Sequence, residues 1–262
     1  MDDRVAANRR FWEELADLHP DTEFYDAEAV VGGASSLRGI EREELPSLDG
    51  RDVLHLQCHI GLDSVSLARE GADVTAVDYS ERAIDTAREL AAAAGADVEF
   101  VETDVRDVPG VVDREFDLVF ASYGVLTWVP DVGEWAAVAA GMLRPGGALY
   151  LVDYHPFTDV LDREGRRPEA DYFGDEPLAL EEEGSYAAPE GEVTHTSTYQ
   201  WTHGLGEVVT AVADAGLSLA FLHEFPYAYF RRFEGMVEDE AGRWRFEDDP
   251  QLPQLFSLLA RA

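Results

Sequence analysis

The segment Gln57-Cys58-His59-Ile60-Gly61 joins an apolar run, residues 52–57, to a stretch with helical spacing, residues 62–70. Asp78 closes the next apolar run, residues 73–78. A buried strand that turns at a glycine into a helix leaves unsatisfied N–H groups beside the strand end. Ligands of open parallel sheets bind outside the carboxyl ends of the strands, where an acid on the second tip can accept from ribose hydroxyls. Asp78 stands at that tip; its plain alternative is a solvated strand end.

The loop also discriminates between adenosine-bearing ligands. A dinucleotide wants G-x-G-x-x-G, so that backbone can approach the pyrophosphate. Here side chains fill the first two turn positions and would crowd a pyrophosphate. S-adenosylmethionine carries no phosphate and needs only polar atoms around an ammonium and a carboxylate, so the substitution favours it.

For proton transfer the candidate is His155, two residues past the fifth apolar run, because imidazole titrates near neutrality. The alternative is a histidine that fixes the loop before Pro156. His195 and His203 flank an alternating run, residues 193–201, and are placed in the same pocket, whereas His223 sits in a strand pattern and reads as structural. Seven histidines and the single Cys58 show no metal-ligand spacing, so no metal is expected.

The elements that must position these groups follow a regular cadence. Helical spacing covers residues 5–18, and a turn-rich stretch with Gly32, Gly33, Ser35 and Ser36 follows. Strand patterns at 52–57, 73–78, 97–102, 116–121 and 148–153 alternate with helices at 62–70, 81–94 and 131–143, the last stopped by Arg144-Pro145-Gly146-Gly147. Ser80 offers an N-cap, and Gly71 and Gly95 offer helix stops. This cadence means βαβ units on a parallel sheet. It breaks over residues 157–200, too long for a bare connection, which is therefore expected to be a lid or binding element. A helix at 205–215 and strands at 217–225 and 254–260 complete the pattern. The expected organisation is an N-terminal helical cap, residues 1–48, and one α/β domain, residues 49–262, interrupted by that insertion. The expected fold is a Rossmann-like, doubly wound, seven-stranded sheet whose last strand is antiparallel.

The charge balance is extreme: 54 acidic residues against 20 basic ones, a net charge of -34 in 262 residues. Every basic residue is Arg; there is no Lys. Such a chain repels itself in dilute buffer, a penalty that fades in molar salt, where the Debye length is about 3 Å. The acids are spread along the whole chain, which favours solvation in a salt-rich, halophilic cytoplasm over a patch for a cationic partner. The acidity argues against nucleic acid. A lone cysteine suits a reducing compartment, and no signal-peptide core or 18-residue apolar run is visible, so a cytoplasmic location without membrane insertion is expected.

The run VLHLQCHIGLDSVSLA (residues 53–68), GADVTAVDYS (71–80), Asp104 after the third strand, LRPGG (143–147) and the final reversed strand together resemble the class I S-adenosylmethionine-dependent methyltransferases. The loop, NRRFW (8–12) and TYQWTHGLG (198–206) resemble a small-molecule-type subset of them. The chain departs where His55 stands for the usual acid and Gln57 and His59 stand for glycines. The resemblance implies that Gln57, Cys58, His59 and Gly61 lie under the methionine part of the cofactor. It places the ribose at Asp78, the adenine beside Tyr79, Asp104 and Val105, and the methyl-transfer face at Ala121, Ser122 and Tyr123. Asp63 pairs with the ammonium or, alternatively, simply favours its helix dipole. Trp12 and Ser36 fold over from the N-terminal segment.

Transfer from a sulfonium is an in-line displacement that relies on positioning and exclusion of water. The aromatics Trp12, Phe24, Tyr25, Tyr123, Trp128, Tyr186, Tyr199, Trp201, Tyr227, Tyr229 and Phe230 gather where a lid would close. Half of them are expected to be packing; the rest, with Tyr25, Trp128 and Tyr186 foremost, would wall the acceptor pocket and attract the sulfonium. The expected function is methyl transfer to a small neutral or cationic molecule. A different reaction on the same cofactor, an NAD(P) oxidoreductase and a non-catalytic binding protein of the same fold are the rivals.

Overall fold

The computed structural model describes residues 2–182, 184–188, 190–247 and 251–262. In chain order the helices and strands are α1 (Asp3–Leu18), α2 (Ala27–Val31), α3 (Gly39–Glu44), β1 (Asp52–Leu56), α4 (Leu62–Arg69), β2 (Asp73–Asp78), α5 (Glu81–Ala94) and β3 (Val98–Glu102). Then come α6 (Val108–Val111), β4 (Phe116–Ser122), α7 (Val132–Gly141), β5 (Leu143–Tyr154), α8 (Pro156–Asp159), β6 (Leu178–Glu181) and β7 (Ser197–Gln200). Helix α9 (Leu205–Asp214), β8 (Ser218–Phe225), β9 (Met236–Glu238), β10 (Trp244–Phe246) and β11 (Leu255–Arg261) complete the chain.

Seven strands form one sheet in the order β3-β2-β1-β4-β5-β11-β8, and β11 runs antiparallel to both neighbours. Strand β1, buried on both faces, pairs in parallel with β2 and β4. Successive strands progress in opposite directions from β1, so the crevice at its carboxyl end is the topological switch point. One apolar cluster joins Val53, Val65, Ile84 and Tyr150 on the face covered by α4 and α5; the other joins Leu54, Trp135, Val208 and Leu258 beneath α7 and α9. These two cores are the physical meaning of the strand–helix cadence.

The local signals act as capping chemistry demands. Ser80 accepts from the Ala83 N–H at the start of α5, and Gly95 ends that helix at φ 64°. One boundary is corrected: α7 stops at Gly141, and residues 143–147 belong to β5, not to a helix end. Pairing with β4 jumps from Phe116–Leu143 to Leu118–Ala148, so Pro145 and Gly146 fall in an irregularity of the ladder rather than in a turn before it.

In the insertion, β6 and β7 form an antiparallel ribbon that lies against α1. The Asn8 amide donates to the Tyr199 carbonyl at 2.7 Å and accepts from the Tyr199 N–H at 2.8 Å. That exchange satisfies the edge of β7 and ties the insertion to the first helix. The expected strand at 193–201 is thus shorter, Ser197–Gln200. A second small hairpin, β9–β10, lies between β8 and β11. Among the described residues no helix is long and apolar enough to cross a membrane.

Candidate cofactor and acceptor cleft

The turn after β1 places two side-chain-bearing residues in the left-handed region, Gln57 at φ 54° and His59 at φ 50°. Each such position costs about 1–3 kcal/mol and persists only when the surroundings fix it. They do. The Gln57 amide donates to the Val125 carbonyl and accepts from Trp135 Nε1, both at 3.0 Å. The Cys58 N–H bonds the Val77 carbonyl, and His59 Nε2 lies 2.7 Å from His19 Nδ1. Side-chain bonds therefore do here what glycines do in a bare phosphate loop. Gly61 alone has no substitute: at φ 74°, a Cβ would lie 2.8 Å from Ala87 Cβ and from Phe100. Because both ends of the Gln57 amide are bonded to protein, this residue is left to meet a ligand through its backbone.

Asp78 is buried and accepts from the His59 N–H and the Ser80 N–H, each at 2.9 Å. Burial pushes its carboxyl up to about 6, against the pull of those two bonds. Helix α1 is fastened beside it. The Glu13 carboxylate accepts from Ser80 Oγ and from the N–H groups of Glu81 and Arg82 at 3.0–3.1 Å, capping α5 from outside.

Asp63 is held between the N-terminal segment and the tip of β4, accepting from Ser36 Oγ at 2.6 Å and Ser122 Oγ at 2.8 Å. No cation pairs with it among the described residues. Asp104 is pushed up by burial but held lower overall by Arg106, which grips both its oxygens. An adenine amino group there would share an oxygen with Arg106.

These groups line one cavity of about 440 Å³, a volume typical of small-molecule sites. Trp12, Ser36, Gln57, Cys58, His59, Asp63, Asp78, Tyr79, Asp104, Val105, Ser122 and Tyr123 all face it. The Trp12 ring meets Trp128 edge-on at 5.3 Å and His59 at 5.1 Å. The Tyr79 hydroxyl and Trp12 Nε1 are buried without a hydrogen-bond partner among the described residues. Tyr25, Trp128, Tyr186 and His203 line the cavity too, and the hydroxyls of Tyr25 and Tyr186 bond to each other across it. From Tyr123 an aromatic wall runs through Tyr154 and Phe230 to Tyr186, with centroid spacings of 5.5–6.2 Å.

Four expected residues stand elsewhere. Gly61 does not line the cavity; it packs against Ala87 and Phe100. Ala121 is fully buried beneath the cavity floor. His195 is exposed and pairs with Glu14 at 2.6 Å. His155 does not line the cavity: its Nδ1 accepts from the Phe157 N–H, capping α8, and its Nε2 faces Glu224 at 3.0 Å. Burial lowers its pKa against the pull of Glu224, and its bond to Phe157 fixes the loop around Pro156. His203 is at the cavity, but its Nε2 is bonded to the Val129 carbonyl at 2.7 Å. Among the described residues no cluster of His, Cys, Asp and Glu is placed to hold a metal ion.

Other site residues carried little signal in the sequence. Asp153 holds the loop after β4, accepting from the N–H groups of Gly124, Val125 and Leu126; its position at a strand tip, like that of Asp78, was the available clue. His19 bridges His59 and Ser185, joining the loop to the insertion. Arg232 lies over the Tyr154 ring at 4.8 Å and pairs with Asp159.

A family profile described as "Methyltransferase domain" matches residues 53–147. The ubiquinone biosynthesis O-methyltransferase of Bordetella avium is 30% identical over 152 residues, which is 58% of each chain. The chain spans about half the length of the curated relatives it matches. Two solved structures share the fold. The CcbJ methyltransferase of Streptomyces caelestis has a TM-score of 0.62 at 19% identity, covering 97% of this chain and 98% of that one. An S-adenosylmethionine dependent methyltransferase from Mesorhizobium loti has a TM-score of 0.58 at 20% identity, covering 88% and 100%. The molecule therefore has the Rossmann-like methyltransferase fold, with the methyltransferase domain matched over residues 53–147.

Proposed function

We propose that the protein binds S-adenosylmethionine at the carboxyl ends of β1, β2 and β4 and transfers its methyl group to a small molecule held against the aromatic wall. The observation that carries this reading is the shared cavity, in which Gln57, His59, Asp63, Asp78 and Tyr79 face the same space as Tyr25, Tyr186 and Phe230. The names of the ubiquinone biosynthesis O-methyltransferase and the Mesorhizobium loti enzyme support the same chemistry.

The residues fit that cofactor better than a dinucleotide. Asp63, Asp78 and Asp104 put three carboxylates around the cleft, an arrangement that repels a pyrophosphate and suits hydroxyls and an ammonium. In this reading Asp78 accepts from the ribose hydroxyls and Asp63 receives the ammonium between Ser36 and Ser122. Tyr79 and Val105 flank the adenine, while Trp12 and Trp128 close over the cleft and exclude water. The cofactor supplies an activated methyl group; the chain supplies alignment and a dry, aromatic surround.

Protein purified in molar salt, denatured and analysed by mass spectrometry should release an adenosyl ligand, and ligand-free protein should show a saturable thermal shift with S-adenosylhomocysteine. A shift with NAD(P) and none with S-adenosylhomocysteine would overturn the reading in favour of an oxidoreductase. The acidic, lysine-free composition further supports a salt-rich cytoplasmic home for this activity.

A further inference from the structure

At the end of the cavity away from Asp78, three hydrogen-bond donors stand without acceptors. The first is Tyr154, at the tip of β5. Its neighbours in the aromatic wall spend their hydroxyls on protein. Tyr123 donates to Oε2 of Glu41, a fully buried residue of α3, at 2.8 Å. Tyr229 accepts from the Ile40 N–H at 3.3 Å, and Tyr25 and Tyr186 bond to each other. The Tyr154 hydroxyl has no hydrogen-bond partner among the described residues, although its ring lines the cavity.

The second is Arg232, largely buried and lining the cavity, with its Cζ 4.8 Å from the centre of the Tyr154 ring. Only its Nη2 is bonded, to Asp159 Oδ1; Nε and Nη1 find no acceptor among the described residues. The third is Arg38, at the start of α3, which lines the same cavity and lies 5.6 Å from the centre of the Tyr229 ring. It pairs with no carboxylate among the described residues, in a chain that has 54 acidic side chains. Burial and the neighbouring Tyr186 and Asp153 raise the Tyr154 pKa, while Arg232 and Arg38 both pull it down, so both guanidinium groups lie within electrostatic reach of that hydroxyl. Donors that converge in this way, two of them charged, are the protein half of an oxyanion site.

We propose that Arg232, Arg38 and Tyr154 determine acceptor specificity by holding the acceptor through a carboxylate group. The inference rests on the methyl-transfer reading and gives it an acceptor class, a small organic acid. It replaces the neutral or cationic acceptor expected from the net charge, because recognition depends on the charges that touch the ligand. A guanidinium presents parallel N–H groups that match the two oxygens of a carboxylate. A phosphate fits less well, since its second negative charge would lie near Asp153 and Asp159, which line the same cavity. Neither acid takes the place of the ligand. Asp159 is matched by Nη2 of Arg232, and Asp153 turns its oxygens onto the N–H groups of the loop after β4.

The test uses the S-adenosylhomocysteine complex in molar salt, where long-range attraction is screened and only direct contact separates an acid from its amide. Calorimetry first establishes that the wild type and each variant bind S-adenosylhomocysteine. Benzoate, phenylacetate and 4-hydroxybenzoate are then titrated into the complex beside their carboxamides, with phenylphosphonate and benzylamine for comparison. At least one acid should bind about tenfold tighter than its amide, and tighter than phenylphosphonate or benzylamine. Arg38→Gln, at an exposed side chain, should weaken that acid about tenfold, and Tyr154→Phe about fivefold. Arg232→Gln, combined with Asp159→Asn so that no carboxylate is left unpaired, should weaken it about 100-fold. The affinity of the amide should change in none of them, which separates a carboxylate anchor from a structural arginine. Acids that bind no better than their amides, or not at all, would overturn the anchor. So would tighter binding of phenylphosphonate or benzylamine, an acid affinity unchanged in either arginine variant, or a loss shared equally by acid and amide. Failure of wild type to bind S-adenosylhomocysteine would instead sink the cofactor reading.

Discussion

At the amino ends of β1, β2 and β4, Asp52, Asp73 and Asp117 are clamped by Arg114 and Arg144; at the carboxyl ends, Asp78, Asp153 and the nearby Glu41 have only neutral donors. The side chains are alike and the strands largely the same, yet Asp52 at one end and Asp78, Asp153 and Glu41 at the other are shifted in opposite directions. Hydrogen bonding to Arg144 draws Asp52 below its ordinary value. Burial drives Asp78 and Asp153 up to about 6 and Glu41 to about 7. The paired end is built to hold the sheet together. At the other end these three carboxyls have no cation of their own.

Linkage makes this difference measurable. A carboxyl whose folded pKa is raised favours the folded state at low pH, and that advantage is lost as pH climbs through the folded value. A carboxyl whose folded pKa is lowered contributes stability above its unfolded value, and loses it as pH falls. The largest separation between the ends should therefore come from neutralising one acid at each. Asp78→Asn should weaken S-adenosylhomocysteine binding about 100-fold, the worth of two hydrogen bonds to a charged group, whereas Asp52→Asn should leave affinity unchanged. Equal losses in the two variants, read by calorimetry, would erase the functional distinction.

Next in size is a stability gain. Glu41→Gln should raise Tm at pH 8, by at most roughly 3 kcal/mol of stability, and do nothing at pH 4, where both states of the wild type hold the proton. Loss of Tm at both pH values would show that the Glu41 carboxylate is structural. At the paired end the sign reverses: Arg144→Ala should lower Tm at pH 7 and shift acid unfolding upward in pH, because Asp52 loses its main partner. The smallest effect should be that of salt on this variant. The charge on a chain of net -34 is screened at molar salt in wild type and variant alike, so both should gain Tm there while the gap between them narrows.

Much of this architecture was legible because the signals were local and periodic. The βαβ cadence, the Ser80 cap, the Gly95 stop and the Asp78 tip each depend on a handful of neighbouring residues, and each stands where their spacing places it. Features that depend on distant chain were not legible. Glu41 sits in the string Glu41-Arg42-Glu43-Glu44 of an acid-rich sequence, where nothing separates a buried carboxylate from its solvated neighbours. His155 had the right strand-end position, but its ring turns toward Glu224 and Phe256, because β11 and β8 pack there. Leu143 read as a helix end and residues 144–147 as its stop, and only the pairing of Leu143 with Phe116 draws them into the sheet. The reciprocal bonds between Asn8 and Tyr199 link segments that no short-range rule connects.

An ionised Asp78 that receives the hydroxyls of an adenosine is the centre of the proposed function. The most direct test is the affinity of the wild type for S-adenosylhomocysteine, followed by calorimetry from pH 8 down to pH 5 in molar salt. Affinity should stay level above pH 6 and then weaken toward tenfold per pH unit, as protonation removes the acceptor. Saturable binding that ignores pH across this range would contradict the role of Asp78, and no binding at any pH would contradict the cofactor itself.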